Sequence, residues 1–131
     1  MDLKESARQR LIALRNGLLK LHKALLDSER SIYEHDVARI TSSSQFLQLL
    51  LQDPFFAWRE LSQLVVLVDE TLEWEEPATI ADADRLVAQA RLLVAPSESG
   101  TAFAKSYHDA MQRDPNAVIA HSDMLKVFAG L

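Results

Sequence analysis

Cysteine is missing from the 131-residue chain, and with it disulfides, thiolate metal sites and cysteine nucleophiles. Glycine occurs only three times, too rarely for a loop that cradles phosphates, and no G-x-S-x-G elbow is present. The longest unbroken apolar run, residues 64–68, falls far short of the roughly 20 residues that cross a bilayer as a helix. The first ten residues, MDLKESARQR, lack the apolar stretch of a signal peptide. A basic balance is also lacking. The net charge is −5 and the isoelectric point about 5.3, against the positive surface that nucleic-acid binding draws on. These absences predict a cytoplasmic protein with no cofactor, no nucleic-acid partner and no membrane association.

What remains is helical. The length suits one domain, residues 1–131, with a core large enough to need neither metal nor disulfide. Residues from about Leu3 to Ile40 contain no proline and read as one helix, roughly 55 Å long at about 1.5 Å per residue. Ala7, Leu11, Leu14, Leu18, Leu21, Leu25 and Ile32 alternate steps of four and three, with Ser28 in the missing place. Ile12, Leu19, Leu26, Tyr33 and Ile40 add a second row, so the helix is expected to serve several neighbours, or else to break near Asn16-Gly17. Ser42 with Gln45 has capping-box spacing and opens a second helix containing Phe46 and the leucines 49–51. Asp53-Pro54, Thr79 with Asp82, Thr101, and Asp114-Pro115 mark four further helix starts. The predicted fold is all-α, an up-and-down bundle of five or six helices with a long N-terminal helix. The first helix and residues 53–74 form its antiparallel spine.

Residues 53–74, DPFFAWRELSQLVVLVDETLEW, are apolar on two helical faces. One face is Ala57, Trp58, Leu61, Leu64, Val65, Val68 and Leu72; the other is Phe56, Leu67 and Trp74, with Val66 at its edge. A helix apolar nearly all round belongs inside a bundle or between subunits. The long helix carries its own apolar surplus. A homodimer, or a pairing with another protein, is the expected outlet, with Leu11, Leu14, Leu18, Phe55, Phe56, Leu67 and Trp74 as interface candidates. In the last helix Val118, Leu125 and Phe128 are expected to be buried.

Polar residues stand out only in the first helix. Arg15, His22, Glu29 and Asp36 recur every seven residues within the arc of the leucines, where polar groups cost stability unless they find partners. Two readings are open: a network holding helix register or lining a half-exposed groove, and a small-ligand site built by Arg15, His22, Glu29, Tyr33, Asp36 and, from the last helix, His121. Metal ligation is disfavoured. His22 and Glu29 lie about 10 Å apart along a straight helix, and no Glu-x-x-His sequence occurs on an inward face. No catalytic set is expected. The seven acidic residues between Asp69 and Asp84 read as a solvated surface, and a helix-turn-helix over residues 103–128 would have a single Lys126 for phosphates on its second helix.

The runs at 49–74, LLLQDPFFAWRELSQLVVLVDETLEW, and 114–128, DPNAVIAHSDMLKVF, resemble a family of small helical bacterial proteins of uncharacterised function. The resemblance implies a bacterial, cytosolic, helical protein and no particular activity, ligand or partner. The function expected from the residues is a structural or protein-interaction role through self-association, with a small-ligand or metal-binding bundle, its polar site lined by the first helix, as the rival.

Overall fold

A computed structural model of the chain describes residues 3–36 and 58–131, with side chains from 3–31 and 58–131. Five helices make up the described residues, and no strand occurs among them: α1 (Leu3–Asp36), α2 (Arg59–Leu72), α3 (Ile80–Leu93), α4 (Ala102–Arg113) and α5 (Pro115–Gly130). The expected helix after Ser42 and the break at Asp53-Pro54 lie outside the described residues.

Three of the starts read from the sequence are made as expected. Thr79 and Asp82 form a reciprocal capping box, with Asp82 N–H donating to Thr79 Oγ1 at 3.1 Å and Thr79 N–H to Asp82 Oδ2 at 2.8 Å. Thr101 Oγ1 accepts from Ala104 N–H at 3.1 Å. Asp114 closes α4 by donating its N–H to Ala110 and opens α5 by accepting from Asn116 N–H, with Pro115 at the first turn.

At about 1.5 Å per residue, the 34 residues of α1 span about 51 Å, and each of the other four helices packs on it. Its buried row is the one expected: Ala7, Leu11, Leu14, Leu18, Leu21 and Leu25 are inaccessible to solvent, and Ser28 continues the row. The second row is only a flank, with Leu19 exposed and Ile12 and Leu26 half-buried. α2 runs antiparallel to α1, since Arg15 faces Asp69 while His22 faces Ser62. α2 and α3 pack as a hairpin across residues 73–79, with Ala83, Leu86, Val87 and Ala90 turned inward. α5 lies along α1, and Arg91 of α3 donates at 3.0 Å to the Phe128 carbonyl at the end of α5, which also accepts from Leu131 N–H.

The helix does not break at Gly17. Instead α5 crosses there: a Cβ at position 17 would sit 2.8 Å from Met124 Sδ and 3.2 Å from Val127 Cγ2. Helix propensity disfavours glycine by about 1 kcal/mol relative to alanine, and close approach of the two helices offsets that cost.

Two expectations about burial need correction. The helix expected to reach Trp74, α2, ends at Leu72; Trp58, Leu61, Leu64, Val65 and Val68 are buried, the second face is exposed at Val66 and Leu67 (37%), and Trp74 (52%) lies exposed beyond the helix. One face meets α1 and part of the flank meets α3, which leaves no described helix to cover the rest. In α5 the buried side chains are Ala117, Met124 and Phe128, whereas Val118 (42%) and Leu125 (48%) are exposed. The crossing at Gly17 rotates α5 to seat Met124, so the stripe expected inside lies about a third of a turn away.

The crossing gives a direct prediction. Gly17→Leu forces side-chain atoms into Met124 and Val127 and should lower unfolding free energy by about 1–3 kcal/mol in chemical denaturation. A variant more stable than the parent, as helix propensity alone requires, would contradict the packing.

Candidate functional site

The heptad ladder of α1 is drawn to separate partners. Arg15 Nη1 reaches Asp69 Oδ1 of α2 at 3.5 Å, a half-exposed pair of little energetic weight. His22 Nε2 lies 2.5 Å from Ser62 Oγ, and that hydroxyl donates to the Trp58 carbonyl at 3.2 Å. Glu29 Oε2 accepts from Arg113 Nη2 of α4 at 3.3 Å, while Arg113 Nε donates to buried Ser28 Oγ at 3.2 Å. Ser28 therefore fills the gap in the leucine row because the guanidinium of α4 docks there. Tyr33 and Asp36 occupy the end of α1, where side chains lie outside the described residues, as do Phe55 and Phe56.

Trp58 joins these contacts. It precedes α2, is 2% exposed, hydrogen-bonds Glu29 through its side chain, and meets Phe103 edge-on at 5.7 Å. Phe103 meets Tyr107 at 5.9 Å, and Tyr107 meets the His121 ring at 5.4 Å, both edge-on. The Tyr107 hydroxyl and His121 Nδ1 are 2.6 Å apart. His121, a candidate for the ligand site, is thus hydrogen-bonded to Tyr107, on the far side of an aromatic row from the ladder.

Burial sets the protonation states. Desolvation lowers the pKa of His22 and of His121 from 6.5, and raises Tyr107 above its ordinary value, so these groups are neutral at physiological pH. Desolvation also raises Glu29 from 4.5, opposed first by the charge of Arg113 and then by hydrogen bonds from Trp58 and Arg113.

Open space lies elsewhere. A cavity of about 400 Å³ runs between α2, α3 and the start of α4, with Leu64, Leu67, Leu92, Leu93 and Phe103 as walls and Glu60, Gln63, Gln89 and Thr101 at its edge. Another of about 300 Å³ lies beneath Trp74, between Leu72, Pro77 and Ala78 and the α1 residues Lys4, Glu5 and Arg8. A third, of about 450 Å³, is polar, framed by Lys20, Lys23, Asp27, Ser31, Asp114 and Asn116. Neither the described ladder residues nor His121 line these three cavities. Among the described residues, no group of three His, Asp or Glu side chains is placed to hold a metal ion. No described helix is long and apolar enough to cross a membrane.

Of the interface candidates, Leu11, Leu14 and Leu18 are fully buried by the chain's own helices and offer a second subunit no surface. Leu67 and Trp74 are exposed, each lining one of the cavities. Sequence reasoning missed Arg113, Ser62 and Leu92. Leu92 could have been found, since it is a large apolar residue off the α3 stripe and is 83% exposed. No local pattern marks Arg113 as the partner of Glu29.

Compared with known proteins, the chain matches no family model, no curated protein sequence and no solved structure.

The two half-buried histidines predict the response to acid. Below about pH 6.5 the unfolded chain takes up protons that folded His22 and His121 resist, so their contribution is full above that pH and is lost as pH falls. Glu29 works oppositely in the carboxylate range, because its raised pKa favours the fold at lower pH. Denaturation midpoints should therefore decline between about pH 7.5 and 5.5, and decline less in the His22→Gln, His121→Gln double variant. Identical profiles would show that neither ring is shielded in the fold.

Proposed function

We propose that the protein is a helical interaction module that pairs with a second copy of itself. The observation supporting this reading is the α2–α3–α4 cavity. Leu67 and Leu92 stand exposed at a hollow whose remaining walls include Leu64, Leu93 and Phe103, so the apolar surface is contiguous rather than scattered. Single exposed leucines are ordinary on a soluble fold, whereas an apolar concavity with a polar edge is the usual form of a protein contact. Trp74, just past the end of α2, lines the second cavity and adds a large exposed aromatic.

The rival small-ligand reading draws less support. It needs the ladder side chains to converge on open space, and Arg15, His22 and Glu29 are engaged by Asp69, Ser62 and Arg113 on two different helices.

Light scattering at micromolar concentration should give twice the 14.7 kDa chain mass for the parent protein. Leu67→Glu should shift the protein toward the single-chain mass while leaving its helical circular dichroism intact. A monomeric parent over the whole concentration range would overturn self-pairing.

A further inference from the structure

A second apolar surface, uncovered by the other described residues, lies on α5. Val118, Ser122 and Leu125 follow one another at i, i+4 and i+7 with exposed side chains, Ala129 continues the line, and Ile119 stands beside it at 59% exposure. That spacing is how a helix presents anchors to a groove. The buried face of the helix, about a third of a turn away, is seated on α1 at Gly17 through Met124, which leaves the stripe facing outward.

We infer that the α2–α3–α4 groove of one copy receives the Val118–Leu125 stripe of α5 from the other. This rests on the self-pairing reading and specifies its geometry. A groove and a ridge on the same chain, each exposed in the single copy, satisfy one another twice in a two-fold dimer: groove to stripe and stripe to groove. Charge agrees with this match. Glu60 is the one charged residue among those lining the groove, and exposed Lys126 follows Leu125 on the stripe. Pairing groove to groove would instead set Glu60 near its own copy and leave the α5 stripe in water.

Two variants separate the possibilities. Leu92→Glu places a charge in the groove, and Leu125→Glu places one on the stripe; both sites are exposed, and circular dichroism checks that each variant folds. With reciprocal contacts, each variant alone should become monomeric under conditions where the parent is dimeric, because each contact then contains one altered side. Mixed at equal amounts, the two should recover heterodimer, since one groove–stripe contact is unaltered. Sedimentation velocity on the mixture, with one variant labelled, reads that recovery. A dimeric Leu125→Glu protein, or a mixture that stays monomeric, overturns the groove–stripe geometry while leaving self-pairing in place. A monomeric parent instead removes the self-pairing reading itself, and this geometry with it.

Discussion

Everything in this fold depends on a single row of side chains down α1. Ala7, Leu11, Leu14, Leu18, Leu21 and Leu25 are sealed from water, and the four other described helices meet that row from different sides. Burying a leucine fully contributes about 1.5–3 kcal/mol, so five of them in register form a large share of a net stability that is usually only about 5–15 kcal/mol. The row also sets positions. α5 approaches closest where Gly17 removes a side chain, and the depth of that crossing decides which residues of α5 face inward.

The polar ladder beside the row has a comparable organising role. A charged or polar side chain within an apolar arc is tolerable only when its hydrogen bonds are made, and each described member makes one, Arg15 and His22 to α2 and Glu29 to α4. Arg113 docking on Ser28 and Glu29 fixes the end of α4, while Ser62 ties His22 to the start of α2. Trp58 connects the two, with its carbonyl on Ser62, its side chain on Glu29 and its ring on Phe103. The result reads as a device for helix register more than as a binding pocket, since the open cavities lie away from it.

Much of this was legible in the sequence. The α1 row, the missing place at Ser28 and the Thr79–Asp82 box follow from periodicity and capping chemistry, which are local. Tertiary packing is less legible. Periodicity finds the apolar arc of a helix but not which neighbour will cover it, so Leu11, Leu14 and Leu18 were expected at an interface and are sealed by the chain's own helices. α5 is apolar over so wide an arc that its composition could not choose between the Val118 and Met124 faces. Gly17 of another helix chose. The ladder was visible as a pattern, but its partners on α2 and α4 lie about 40 to 85 residues away in sequence and carry no local mark.

The surfaces left over give the interaction reading its content: once α1 is covered, the groove and the α5 stripe are what the described residues leave exposed. That ordering makes α1 the last element to lose structure. Native-state hydrogen exchange tests it most directly, because amides in the most stable unit exchange only through global unfolding. The α1 amides between Ala7 and Leu25 should show the slowest exchange in the chain, with an opening free energy equal to that of global unfolding. Faster exchange in that segment than in the α2–α3 hairpin would contradict the central place given to α1.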